Sequence, residues 1–422
     1  MKTNYELIVV GGGFAGVAAA ISAAKNGVDV LLIEKYNCLG GAASNALVTP
    51  FMRYWTIMPE TSEKQFLCGN IFLEIVREMN KIRGKEEYNI RSVEFDEEIL
   101  KLVLNRMILK YGVHLLFNTT VTEAHVSDGN IVSIKALGKS MPLEFSADYF
   151  IDATGDGELS MLAGCSYQVG RESDGLCQPM TLCFRMSGVD KEKYKESRSK
   201  INPLYNEWQQ KDLIKNPREN VLIFSNYNDG VLHFNSTRIV KKNPTDPFDI
   251  TMAEIEAREQ VFELHHFLKE NIEGFENSRV LSTALLIGIR ESRKIEGEYT
   301  ITEEELKSCC RFEDAIATSN YDIDIHNPEG PGTMQYYFKD GDWYEIPYRC
   351  LVPKKMNNLL VAGRCISSTH EAQASYRIMP YCAELGQAAG TAVAVAVKNK
   401  TSVRDVNIKQ VQEILRNDGF VI

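Results

Sequence analysis

ELIVVGGGFAGVAAAISAAKNGVDVLLIE, residues Glu6 to Glu34, is the stretch whose reading decides the fold. It opens on Leu7-Ile8-Val9-Val10, an unbroken apolar run suited to a strand buried on both faces of a parallel sheet. Gly11, Gly13 and Gly16 follow in the spacing G-x-G-x-x-G. Ala18, Ala19, Ile21, Ala23 and Ala24 then make a small-residue helix that Gly27 ends. Val28 to Ile33 reads as a second strand finishing at Glu34. Gly11 permits the tight turn from strand to helix, Gly13 lets the backbone approach a pyrophosphate with no Cβ in the way, and Gly16 lets helix and strand pack closely. The helix N-terminus offers free N–H groups and the positive end of its dipole. Glu34 stands near the spacing of about 20 residues at which a carboxylate meets a ribose. An acid there accepts hydrogen bonds from ribose hydroxyls and repels a 2′-phosphate, which favours FAD or NAD over NADP. A glycine-rich turn alone can serve packing only. Strand, turn, helix, strand and acid in this order read as a dinucleotide site.

The chain has 422 residues, beyond the roughly 250–300 at which a single core stops growing, so two domains are expected. Its composition is that of a globular protein, and no apolar run approaches the roughly 20 residues that span a bilayer. The N-terminal apolar run leads into the glycine turn rather than a cleavage site, so no signal peptide is read. The net charge of −10 gives no electrostatic reason to expect nucleic acid or an anionic membrane as partner. None of the ten cysteines forms C-x-x-C or a zinc or iron–sulfur spacing, so no metal is expected. Reduced thiols in a cytoplasmic protein are the plain reading. Adjacent Cys309 and Cys310 allow a redox role, against which stands simple coincidence.

Lys35 to Ser44 holds a second small-residue turn around Gly40 and Gly41. Phe72, Ile75, Val76 and Met79, and then Leu100, Val103, Leu104 and Met107, are helical stripes. His114 to Phe117, Val121 to Val126 and Ile131 to Ala136 read as strands, with a hairpin turn at Asp128-Gly129. Tyr149-Phe150-Ile151 is a buried strand running into DATGDG, residues 152–157. Residues 190–220 are charged and weakly periodic, a solvated helix and loops. Val231 to Val240 alternates like a strand, and Ala257, Val261, Leu264 and Leu268 mark a helix. His265 and His266 beside it read as surface, and His114, His125 and His233 as structural. Asn358 to Gly363 is again a buried strand ending in glycine. Met379 to Val397 is a long Ala-rich helix in which Gly386 and Gly390 permit close packing, and Ile408, Val411 and Leu415 mark a last short helix. The expected architecture is α/β, a Rossmann-like domain with a parallel sheet plus a second α+β domain. The first is discontinuous, residues 1–157 and 350–422; residues 158–349 form the second.

The glycine-turn opening, DATGDG and LLVAGR (359–364) together resemble the FAD-dependent oxidoreductases, the class of glutathione reductase, p-hydroxybenzoate hydroxylase and fumarate reductase. QPMTLCFR (178–185), IGIRESRKIEGEYTIT (287–302), IPYRCLVP (346–353) and AGRCISSTHEA (362–372) resemble more narrowly a bacterial FAD-dependent oxidoreductase family, over nearly the whole chain. The resemblance implies that Gly11, Gly13 and Gly16, with Phe14 and Ala15, hold the pyrophosphate and that Glu34, followed by Lys35, holds the adenosine ribose. Gly40, Gly41, Ala42 and Ser44 pass near pyrophosphate and flavin. Val121 meets adenine through its backbone, and Ala153, Thr154, Gly155 and Asp156 line the dinucleotide. Gly363 meets the pyrophosphate and ribityl chain. Arg364 stands where many relatives carry an acid for the ribityl hydroxyls. The helix starting near Met379 points its N-terminus at the pyrimidine end of the flavin. Relatives with covalent flavin use a His after the second strand. Residues 36–60 contain none, so non-covalent FAD is expected, with Cys38 the alternative point of attachment.

A flavoprotein of two domains binds its substrate between ring and second domain. Arg290 and Arg293, in Leu285 to Lys294, read as anchors of a small anionic or strongly polar metabolite, with Glu291 or Glu296 as internal partners in the competing reading. His370 is the candidate for proton exchange; Arg377 and His326 are further polar candidates. The implied activity is hydride transfer to or from flavin N5. The alternative is an FAD-binding electron-transfer component of a larger complex without small-molecule turnover of its own. An RNA-modifying flavoprotein is disfavoured by the acidic charge. The lack of a second G-x-G-x-x-G unit disfavours a disulfide reductase with its own NADPH domain.

Overall fold

A computed structural model describes residues 2–84 and 95–422. The apolar opening run forms the strand Asn4–Val10 (β1), and the alanine-rich segment forms the helix Phe14–Lys25 (α1). Val30–Ile33 (β2) lies parallel to β1, and His114–Leu116 (β3) lies parallel to β2. Thr119–Ser127 (β4) and Asn130–Gly138 (β5) form the expected hairpin, turning at Asp128-Gly129. The segment read as a strand only at Tyr149–Ile151 is the twelve-residue strand Met141–Asp152 (β6). Its first part pairs antiparallel with β5, and from Asn4↔Ser146 to Val10↔Asp152 it pairs parallel with β1. Pro142 and the polar, part-exposed residues around it hide that first half from an apolar-run reading. Leu359–Val361 (β7) joins the same strand in parallel register, Leu359↔Phe150 to Val361↔Asp152. The sheet order is β3-β2-β1-β6-β5-β4 with β7 on β6, so chain segments more than 200 residues apart share one sheet.

The long helix near the C-terminus spans Met379–Asn399. It crosses α1 at backbone contact: a Cβ on Gly386 would lie 2.0 Å from the Ala15 carbonyl oxygen, and one on Gly390 2.2 Å from that of Ala19. Ser22 and Thr391 join their hydroxyls at 2.8 Å in the same seam.

A second apolar core lies apart from the one around this sheet. It is built on four antiparallel strands in the order Ile223–Ser225, Leu232–Phe234, Phe184–Ser187, Arg279–Thr283. The helix Pro247–Asn271 packs over it through Ala253, Ala257, Val261, Leu264 and Leu268. Phe184 and Phe234 stack at 4.8 Å in its centre. The alternation read over Val231–Val240 yields only the short strand Leu232–Phe234, because the chain beyond turns Arg238 inward. Residues 190–220 hold the helices Lys191–Ser197 and Ile201–Gln210. The chain is therefore an α/β protein with a Rossmann-like sheet and a second α+β unit. No helix among the described residues is long and apolar enough to cross a membrane.

Candidate active site

The glycine turn is shaped by close approaches. Gly11 has φ +102°, and a Cβ there would lie 2.5 Å from the Ala153 carbonyl oxygen. A Cβ on Gly16 would lie 1.7 Å from the Gly11 carbonyl, so Gly16 serves the packing of helix on strand. Gly13 differs: its missing Cβ faces open space, with the Gly41 Cα, at 3.9 Å, the nearest neighbour. Gly13 is also the N-cap of α1 and offers no capping side chain, so the first N–H groups of the helix face that space. The second turn, around Gly40 and Gly41, closes over it. Gly40 N donates to the Gly12 carbonyl at 2.9 Å, and Ser44 Oγ donates to the Leu39 carbonyl at 2.7 Å. Ser44 thereby braces the turn and does not line the cavity.

Glu34 ends β2 with a buried carboxylate. It accepts from Gly12 N at 2.5 Å and from Tyr36 N at 2.9 Å. Burial pushes its carboxyl up, and these two N–H groups pull the other way. Lys35 pairs with Glu158 at 3.0 Å; burial works against its charge, but Glu158 holds the ammonium above the ordinary lysine value. DATGDG is organised by Asp152, a residue sequence reading gave no role. Its Oδ1 accepts from Thr154 N and Oγ1, and its Oδ2 from Ser160 N and Oγ. Asp156 in turn meets Arg364 at 2.6 Å and the Ser292 hydroxyl at 2.6 Å. Burial opposes the Asp156 charge, and Arg364 holds the carboxyl below its ordinary value. The arginine that replaces the usual acid after Ala362-Gly363 is thus spent on an internal ion pair.

These segments enclose one side of a cavity of about 630 Å³. Its lining includes Glu34 and Val121, Gly13 and Gly363, and Arg377 with Met379 at the N-terminus of the long C-terminal helix. Phe14, Ala15, Lys35, Gly40, Gly41 and Ala42 belong to the lining, as do Ala153, Thr154, Gly155, Asp156 and Arg364. The opposite wall comes from the second unit, through Pro247, Ile250 and Glu254 of its long helix and through Ile287 and Ile289. A cavity of this size with an uncapped helix N-terminus and an open position at Gly13 fits a dinucleotide. Among the described residues no three metal-ligating groups cluster.

Arg290 follows Ile289 off that wall. Its Nη1 donates to the Pro179 carbonyl and to Thr181 Oγ1, both at 2.6 Å, and neither Glu291 nor Glu296 pairs with it. Burial and the charges of Arg377 and Arg218 push its guanidinium down to about 9, still protonated at neutral pH. Arg377 has Asp324 as its nearest carboxylate, at 3.9 Å. Asp324 also faces His326 Nε2 at 3.3 Å. Burial and Arg290 push His326 down to about 3, so it is neutral. Arg293 lies outside the cavity lining, donating to the Asp156 carbonyl at 3.2 Å and covering the Tyr167 ring. His370 is buried and, like Arg290, lies outside the cavity lining. Its Nδ1 lies 2.7 Å from Glu291 Oε2, off line for a regular hydrogen bond, while Glu291 Oε1 takes Lys294 Nζ at 2.6 Å. The grouping of Arg218, Arg238 and Asp324 near Arg290 was not legible in sequence, because each comes from a different segment with no local pattern.

A family model described as FAD dependent oxidoreductase matches residues 6–415. Digeranylgeranylglycerophospholipid reductase of Methanocella arvoryzae is 30% identical over 164 residues, 37% of this chain and 40% of that one. The tRNA uridine 5-carboxymethylaminomethyl modification enzyme of Campylobacter fetus is 29% identical over 142 residues, 31% of this chain and 22% of that one. The chain spans two fifths or less of the length of these curated relatives. Among solved structures, p-nitrophenol 4-monooxygenase of Pseudomonas putida superimposes with a TM-score of 0.51 at 12% identity, covering 99% of this chain and 88% of that one, which is a likeness of fold. The match over residues 6–415, on a chain whose glycine turn lines this cavity, makes this protein a member of the FAD-dependent oxidoreductase family.

Proposed function

We propose that the protein exchanges a hydride between a small polar, anionic metabolite and N5 of its FAD. The observation that carries this reading is the imbalance of charge along the cavity. At the dinucleotide end each cation has its own acid, Lys35 with Glu158 and Arg364 with Asp156. Arg377, also in the lining, has only Asp324 near it, at 3.9 Å, and Arg290, next in the chain to the lining residue Ile289, pairs with no carboxylate among the described residues. Guanidinium groups with donors to spare take carboxylates bidentately.

In this reading the residue roles are as follows. The Gly11–Gly16 turn and the N-terminus of α1 take the pyrophosphate, Glu34 the adenosine ribose and the Val121 backbone the adenine. Thr154, Gly155 and Gly363 line the middle of the dinucleotide, and the helix starting at Met379 directs its positive end at the pyrimidine ring. When bound, the flavin supplies the two-electron chemistry. The chain orients the substrate with Arg290 and Arg377, excludes water with Ile287 and Ile289, and stabilises developing negative charge. His370 and Glu291 hold the Arg290 segment in place, and His370 Nε2 is the group through which a proton leaves or enters. In this division residues 1–157 and 350–422 carry the cofactor, and residues 158–349 carry the substrate.

Anaerobic mixing of the holoenzyme with small carboxylic acids, and with their amides, tests the reading. An acid should bleach the flavin absorbance while its amide does not. Equal bleaching by acid and amide would contradict the charge argument. Reduction by a protein donor alone would make the chain an electron-transfer component.

A further inference from the structure

We propose that the helix Pro247–Asn271 is the surface through which two copies of this chain pair, the two helices side by side and pointing the same way about a two-fold axis. The helix has two apolar faces. One is buried, with Ala253, Ala257, Val261, Leu264 and Leu268 packed in the second core. The other stands in solvent: Phe248 is 82% exposed, Met252 51%, Ile255 52% and Phe262 59%.

These four side chains belong to one strip. Phe248, Met252, Ile255, Glu259, Phe262 and His266 recur at intervals of 4, 3, 4, 3 and 4 residues. At 3.6 residues per turn they fall within about 80° of arc, on the side opposite the buried face. Single apolar residues scattered over a surface show no such order. A repeat of about 3.5 residues is the pattern by which one helix follows another along its length, so the occupant is a helix. An exposed aromatic side chain offers about 150–250 Å², and on that scale the four leave roughly 500 Å² of apolar surface in one piece. A stable interface buries about 800 Å² on each partner, apolar at its centre and polar at its rim. The strip supplies that centre, and the charged edges of the same helix supply the rim.

The edges identify the partner. On one side of the strip stand Asp249, Glu256, Glu263 and Glu270, every seventh residue an acid. On the other stand Thr251, Arg258, His265 and Lys269, with two cations and no acid. A two-fold axis running along the helices sets the acidic edge of each copy against the basic edge of the other, whereas antiparallel pairing sets acid against acid. Glu256, Lys269 and Glu270 are exposed, and Arg258, which rests on Glu254 at 3.0 Å, keeps nearly half of its side chain in solvent. Parallel pairing lays each strip residue on its own counterpart in the second copy. Glu259 is then the polar member of the seam, a residue type that fixes register at a cost in stability. His266 closes the strip, edge-on to Trp208 with ring centres 6.0 Å apart. An anionic bilayer suits this face poorly, because helices that lie on membranes carry Lys and Arg beside their apolar strip.

Sedimentation equilibrium of the FAD-loaded protein, from sub-micromolar to high micromolar concentration, tests the proposal. A monomer–dimer equilibrium is expected. Phe248→Glu and Phe262→Glu should each weaken it about tenfold or more while the variants keep their FAD and their circular dichroism. Direction is read with Phe248→Cys and Phe262→Cys, which lie about 21 Å apart along the helix. Each should give a disulfide-linked dimer under mild oxidation that the wild type does not form, because only parallel pairing brings both ends onto themselves. A protein monomeric at every concentration, a dimer indifferent to both glutamates, or cross-linking at one end or neither would overturn the proposal. Binding of the wild type to phosphatidylcholine vesicles that Phe248→Glu abolishes would also overturn it and assign the strip to a lipid surface.

Discussion

At Glu34 one carboxylate does two jobs. It holds Gly12 N and Tyr36 N, which fixes the glycine turn against the loop after β2, and it lines the cavity, where the proposed function has it take the ribose. Glu34→Ala should weaken FAD binding roughly 10- to 100-fold, the effect of losing charge-assisted hydrogen bonds worth about 1.5–3 kcal/mol. Titration of apoprotein with FAD checks this, and unchanged affinity would remove Glu34 from the site. His233 illustrates the opposite case, a titratable group kept for packing. It is buried with both ring nitrogens unpartnered, and burial, with Arg185 nearby, pushes it from 6.5 down to about 4. The unfolded chain therefore binds the proton first. Stability is fully present above about pH 6.5 and falls as pH drops toward 4. His233→Phe should flatten that loss, on the order of a few kcal/mol, in urea unfolding compared near neutrality and near pH 5. An unaltered acid slope would assign the loss elsewhere. That Gly11, Gly13 and Glu34 come together at one cavity was legible because their spacing along the chain sets it. Asp152 and Arg218 were not, because their partners are set by tertiary contact.

Among elements, the seam between α1 and the helix Met379–Asn399 decides the position of the glycine turn. The Gly386 Cα has no room for a Cβ against Ala15, and Ala15 lies in the first turn of α1, directly after the glycine turn, and lines the cavity. Gly386→Val must push α1 away from the sheet. Overpacking of this kind costs typically 1–3 kcal/mol, and here it also moves the N–H groups of the turn. The variant should melt earlier and lose FAD together; early melting with full FAD would show that the seam does not position the site. Elements with one strong local pattern, α1, β1, β2 and the C-terminal helix, were readable from sequence. The first half of β6 and the brief strand at Leu232–Phe234 were not, because sheet partners rather than apolar runs define them.

For the whole molecule, the two cores are tied by Arg185 of the second unit, which grips Glu97 bidentately at 2.7 and 2.5 Å. The cavity lies between them, with cofactor residues on one wall and Ile287, Ile289 and Glu254 on the other. Family and cofactor were legible because the glycine turn, DATGDG and the second glycine strand each keep their motif, and the match over residues 6–415 agrees. The approach of Arg377 to Asp324 and the seating of Arg290 on Pro179 and Thr181 emerge only in the folded chain. The central claim is that this cavity holds one FAD by non-covalent contacts alone. Acid precipitation of the purified protein, with flavin measured in supernatant and pellet and identified by mass, tests it most directly. The account predicts one FAD per chain in the supernatant and a colourless pellet; flavin retained on the polypeptide, FMN in place of FAD, or no flavin would contradict it.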